Sequence, residues 1–132
     1  MNILKVSDAA LFALQVADEL NVHICLTVID TGANEIYTIR MEEANFLTLE
    51  SAYRKAKTAF LFKCPSHVLS NIIQQVPKLS KEIDKLPGDA MMIEGGLPIQ
   101  KDGKTIGGVG VAGGNFEQDL AVASAFIKKL MS

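Results

Sequence analysis

The run Gly108-Val109-Gly110-Val111-Ala112 constrains the fold more than any other part of the chain. Branched residues alternate with residues that carry a hydrogen or a single methyl, which is the period of a β-strand. Val109 and Val111 then point to one side, and Gly108, Gly110 and Ala112 leave the other side nearly bare. Something must lie flat against that bare face. A helix packed unusually close is the commoner use of strand glycine and is the expectation; a planar or bulky ligand is the alternative. The same letters continue to Gly113 and spell G-x-G-x-x-G, but a dinucleotide fingerprint needs its glycines in a turn after a parallel strand and an acidic residue about twenty positions later. Here the first two glycines fall within a strand pattern and the chain ends near that point. Gly103-Lys104-Thr105 spells the end of a phosphate loop, but Pro98 stands where that pattern needs its first glycine, so a phosphate loop is excluded as well.

Around this strand the pattern alternates helices and hairpins. Ser7 or Asp8 is the expected cap of a first helix through about Leu20, with Ala9, Ala10, Ala13, Leu14 and Ala17 at helical spacing and Asn21 as its end. His23 to Ile29 and Glu35 to Met41 read as strands joined across the turn residues Asp30 to Asn34. Asn45 to Phe62 is an amphipathic helix; Pro65 stops it and Ser66 opens a shorter one to Gln75. Pro77 to Gly88 reads as a loop with one helical turn and is the expected lid or contact segment. Ala90 to Ile93 and Leu97 to Lys101 read as strands, and Asp102-Gly103 signals a type I′ hairpin into Thr105 to Ala112. Asn115 with Gln118 forms a capping-box pattern for a final helix to about Leu130. The expected fold is α+β: a five-stranded antiparallel sheet with flanking helices in a profilin-like three-layer arrangement, because tight turns join most neighbouring strands.

With 132 residues, 48% of them hydrophobic, the chain suits one domain with one core, residues 1–132. Its formal net charge of -2, with both signs interspersed, offers no basic stripe, so nucleic acid is not an expected partner. Neither a signal-peptide core nor an apolar run of membrane-spanning length is present, so the expectation is a cytoplasmic protein without a membrane partner. Cys25 and Cys64 lack metal-ligand spacing and read as free thiols. His23 and His67 are the two histidines, and no metal is expected. Gly113-Gly114, leading into a helix N-terminus, offers backbone N–H groups and a positive dipole end to a carboxylate or phosphate, in competition with Glu117 and Asp119 in the same first turn.

Val28-Ile29-Asp30-Thr31-Gly32, Arg40-Met41 with Ala44, Lys55-Ala56-Lys57-Thr58-Ala59, Gly95-Gly96-Leu97-Pro98-Ile99, Asp102-Gly103, and Gly107 to Gly114 followed by Glu117-Gln118-Asp119 occur in this order and spacing. With these motifs the chain resembles, over nearly its whole length, the HbpS/GlcG-like family, which also occurs as the C-terminal domain of PduO-type proteins. Many members carry serine or threonine where this chain has Ala112, so a hydroxyl contact there is not carried over. The resemblance implies the same five-stranded domain, a homo-oligomer, and haem or another tetrapyrrole as the leading ligand. It does not carry over a reaction.

The charged residues in the matched motifs are Asp30, Arg40, Lys55, Glu94 and Asp119. Asp30, Arg40, Lys55, Asp119, Gly95, Gly96, Gly113 and Gly114 are the ligand-binding candidates. Against that stands an ion-pair network fixing the hairpin to the helix, with Lys55 paired to a glutamate one turn away, which is the preferred account. Cys64 beside Pro65, with His67 nearby, is the candidate haem-ligating pair, whereas His23 at the head of an apolar strand reads as structural. The resulting expectation is a small-ligand-binding oligomer with haem or tetrapyrrole as ligand. The alternative is an enzyme or accessory protein in small hydroxy-acid or diol metabolism, with the balance against an enzyme.

Overall fold

The computed structural model describes residues 1–85 and 89–132. Its elements are α1 (Ile3–Glu19), β1 (Cys25–Ile29), β2 (Glu35–Arg40), α2 (Leu47–Phe62), α3 (Ser66–Gln75), α4 (Lys78–Asp84), β3 (Gly96–Lys101), β4 (Lys104–Ala112) and α5 (Phe116–Leu130). The sheet is antiparallel in the order β2-β1-β4-β3.

Alternation along the strands sorts the core into two faces. Leu26 and Val28 of β1 lie opposite Val111 and Val109 of β4 and pack with Val6, Ala9, Ala13 and Phe126 of α1 and α5. The other face presents Cys25, Thr27 and Ile29 opposite Ala112, Gly110 and Gly108. Here α2 fills the bare face, as the glycine pattern predicts. A Cβ at Gly110 would overlap the Ala52 carbonyl oxygen, and one at Gly96 would overlap that of Lys55. Helix backbone thus rests directly on strand backbone, and small residues on both partners make this possible: Ala52, Ala56 and Ala59 are the buried apolar residues of α2. A planar ligand has no room on that face.

The fifth strand is not there. Ala90 to Ile93 remains outside the sheet, where α2 and α3 claim its polar groups. Arg54 Nε donates to the Asp89 carbonyl at 2.8 Å, the Met91 amide donates to Thr58 Oγ1 at 2.9 Å, and Ser66 Oγ donates to the Ile93 carbonyl at 2.5 Å. Among the described residues the sheet therefore has four strands, with β3 at its edge. Alternation in a run of four residues cannot distinguish a strand from a segment laid across a helix.

The first helix starts earlier than expected. Asn2 caps it by accepting from the Leu4 and Lys5 amides, and Ser7 lies within it. Asn21 closes it at φ 57. The expected loop Pro77–Gly88 is helical over Lys78–Asp84, with Pro77 opening it, and its residues 86–88 lie outside the described residues. Asp102 and Gly103 adopt φ values of 52 and 77, as a type I′ hairpin requires. Asn115 and Gln118 form the capping box that starts α5.

Because α2 backbone leaves no space at Gly110, Gly110→Ala must move the helix or the strand. We expect a loss of at least about 3 kcal/mol of unfolding free energy, measured by denaturant titration.

Candidate functional site

The N-termini of α2 and α5 meet at one end of the sheet. Between them lies an open groove of about 240 Å³, walled by Leu47, Ser51, Ile93 and Phe116 and bordered by Lys55 and Asp119. A second groove of about 310 Å³ shares Asn45, Thr48, Gly113 and Gly114 with the first and continues to His23 and Gln118.

Lys55 and Asp119 are each only 2% exposed, and their side chains form an ion pair with Nζ 3.1 Å from Oδ2. Lys55 Nζ also donates to the Val111 carbonyl at 3.0 Å, and the Gly114 amide donates to Asp119 Oδ1 at 2.8 Å. The pair thus ties α2, the end of β4 and the first turns of α5 together. Gly95 is needed beside it: at φ 123 it holds a conformation that side chains resist, and a Cβ there would overlap the Val111 carbonyl and lie 3.1 Å from Lys55 Cδ and Nζ. Burial pushes the Asp119 carboxyl above its ordinary range, while the Lys55 charge and the Gly114 amide pull it back. Lys55 therefore pairs across the fold with α5, and not with a glutamate on its own helix.

Of the expected site residues, the fold brings together Lys55, Asp119, Gly95, Gly96, Gly113 and Gly114. It separates the others. Asp30 shapes the β1–β2 turn, where its Oδ1 accepts from the amides of Gly32 at 2.9 Å and Asn34 at 3.0 Å; these bonds hold its carboxyl below the usual range. Arg40, exposed at the end of β2, donates to the carbonyl oxygens of Ala44 and Glu42 and so braces the turn that leads into α2. Cys64 and His67 lie at the α2–α3 junction, and neither lines the two grooves. Burial raises the pKa of the Cys64 thiol and pushes that of Cys25, which is fully buried, up to about 11, so neither is a ready thiolate at neutral pH. His23, read from sequence as structural, is instead exposed and lines the second groove. The strand begins at Cys25, so His23 sits before it and escapes its burial pattern.

Sequence reasoning missed Leu47 and Phe116, which are 59% and 54% exposed; Phe46, which the helical pattern places on the apolar face of the long helix, is instead 76% exposed. Their signal is a large apolar residue at the first position or at the cap of a helix, outside the stripe that the core uses. Ala112, where no hydroxyl contact was carried over, lines the first groove.

A family model described as haem degrading protein HbpS-like matches residues 2–128. The corrinoid adenosyltransferase PduO of Salmonella typhimurium is 34% identical over 115 residues, which are 87% of this chain and 34% of that protein. The chain thus spans about a third of the length of that curated relative. The crystal structure of the PduOC:heme complex superposes with a TM-score of 0.85 at 31% identity, covering 96% of this chain and 90% of the other. A double mutant of Streptomyces reticuli HbpS superposes with a TM-score of 0.86 at 29% identity, covering 97% and 85%.

Removing one partner of the buried pair leaves an uncompensated charge. Lys55→Met or Asp119→Leu alone is expected to lower unfolding free energy by about 3–5 kcal/mol, whereas the double variant should recover most of the loss, as a double-mutant cycle would read out. For Asp30, whose folded-state pKa is depressed, the stabilising contribution is present above the unfolded-state value near 3.8 and disappears as pH falls through the lower folded-state value. The gap in thermal stability between the parent chain and Asp30→Ala should therefore be widest at neutral pH and close on acidification below about pH 4.

Proposed function

The chain belongs to the HbpS-like family, and we propose that it is a small-ligand-binding protein that works as a homo-oligomer and takes a tetrapyrrole along the two joined grooves. One observation carries this reading: the grooves offer an apolar wall of Leu47 and Phe116 at one end and an exposed imidazole, His23, at the other. A macrocycle needs apolar surface for its ring and, when it holds iron, a nitrogen, sulfur or oxygen donor beneath the metal. These residues fit that demand. Cys64 and His67 do not line the two grooves, so His23 replaces them as the residue that would hold the metal of such a group. Haem in a solved neighbour and a corrinoid in the name of a relative are both tetrapyrrole-type macrocycles, which supports the ligand class.

In this reading the bound group would supply the redox or gas-ligand chemistry of its metal. The chain's own residues bind and orient. Phe116 and Leu47 would offer the ring an apolar wall, His23 would hold its metal when one is present, and the Lys55–Asp119 pair fixes the relation of α2 to α5 on which the groove width depends.

A second reading rests on a different observation. Lys55 and Asp119 border a groove sized for a small molecule, which supports proton transfer or substrate positioning in hydroxy-acid or diol metabolism, or an accessory role beside a partner enzyme.

Titration of haemin into the purified protein should give a shifted Soret band. His23→Ala should weaken or alter it, and Phe116→Asp should weaken it, while Cys64→Ala and His67→Ala leave it unchanged. No shift with the parent protein would sink the haem form of the proposal, and loss on changing Cys64 or His67 alone would move the site. Turnover of a hydroxy acid or diol that survives in the parent and vanishes in Lys55→Met, with the fold intact, would favour the second reading.

A further inference from the structure

We infer that the outer edge of β2 is an interface with a second copy of this chain, formed by antiparallel β2–β2 pairing about a twofold axis at Thr38. The inference rests on the oligomeric part of the proposed function and specifies its surface.

An exposed sheet edge presents unpaired amides and carbonyls and is normally protected. The two edges of this sheet differ in that respect. On β3, the Val111 amide donates to the Gly95 carbonyl, so Gly95, Leu97 and Ile99 turn their polar groups toward β4 and Pro98 faces outward. Pro98 has no N–H to offer, and Lys101 adds charge at the end of that strand, so β3 is defended. On β2, the Met41 amide donates to the Ile24 carbonyl, one step beyond the Cys25–Arg40 register. The ladder alternation then turns Tyr37 and Ile39 toward β1 and leaves the amides and carbonyls of Thr38 and Arg40 directed outward. This edge carries no proline and no lysine. The turn after it lines the second groove with Gly113, folding over the end of the sheet and away from the outer edge.

The side chains on β2 are self-complementary. Glu35, Thr38 and Arg40 lie opposite Ile29, Thr27 and Cys25, all on the α2 face, so they share that face; the irregular step between Val28 and Ile29 produces the odd spacing. Thr38 Oγ1 donates to Glu35 Oε2 and shares a 3.2 Å hydrogen bond with Thr27 Oγ1, which fixes the carboxylate over that face. Glu35 and Arg40 stand at opposite ends of the strand, roughly 16 Å apart, too far to pair within one copy. Among the described residues neither takes part in an ion pair. Pairing centred on Thr38 matches the outward amides and carbonyls, puts Tyr37 against Ile39 of the second copy on the other face, and brings Arg40 onto the Glu35–Ile36 step of the second copy. The twofold axis makes the ion pair twice.

Sedimentation velocity over a concentration series tests this. The parent should associate, and Glu35→Arg or Arg40→Glu alone should raise the dissociation constant at least about tenfold by setting like charges opposite one another. The double variant Glu35→Arg/Arg40→Glu should restore association. An equimolar mixture of the two single variants should form heterodimers, because each then offers the other the opposite charge. Circular dichroism of Glu35→Arg should match the parent; Arg40→Glu also loses the brace to the Ala44 and Glu42 carbonyls, so its association is compared with that of Arg40→Gln, which loses the same charge without reversing it. A parent that stays monomeric overturns both this inference and the oligomeric part of the proposed function. A parent that associates equally well in both single variants overturns the β2 interface alone, and haemin binding in the single variants reports separately on the ligand.

Discussion

The approach of α2 to β4 and β3 without intervening side chains is the constraint on which the rest depends. Gly96, Gly108 and Gly110 lie under the carbonyl oxygens of Lys55, Ala56 and Ala52, so the helix axis is set by main-chain contact. Ordinary helix-on-sheet packing leaves a layer of side chains between the two backbones. Here that layer is missing, and any side chain on the inner face of α2 must pass around the strand. Lys55 does this at the end of the sheet, where Gly95 leaves a channel and Asp119 waits on α5.

A buried ion pair is weak evidence for stability, since the desolvation of two charges offsets most of their attraction. Its value here is geometric. The carboxylate engages the Gly114 amide and the ammonium engages the Val111 carbonyl, so the pair closes only when α2, β4 and α5 hold one relative position. That position sets the width of the groove between Leu47 and Phe116. The core on the opposite face, where Val6, Leu26, Val109, Val111 and Phe126 interlock, supplies the apolar burial that can support such a pair.

Much of the fold was legible locally. Asn115 and Gln118 announced α5, Asp102-Gly103 announced the β3–β4 turn, and the alternation of valine with glycine announced both β4 and the helix pressed against it. Failures came where a local pattern had two tertiary uses. Ala90 to Ile93 has strand composition and is held by α2 and α3. Asn2 lies close enough to the chain start that Ser7 and Asp8 looked like better caps. Of the site, the motif residues Lys55, Gly95, Gly96, Gly113, Gly114 and Asp119 were named from sequence and do converge, whereas Asp30, Arg40, Cys64 and His67 belong elsewhere in the fold.

The sequence by itself determined that something must lie flat against a strand with one bare face, because no side chain on that strand can fill the space. It also determined the hairpin turns and the helix caps, which depend on residues within a few positions of one another. Only the tertiary structure decided which helix fills the bare face, that Lys55 reaches Asp119 across 64 positions, and that His23 rather than His67 borders the groove. Those facts depend on how far each element extends and on the angle at which it crosses the sheet. Both are set by the summed packing of the whole core and by no residue's neighbours in the chain.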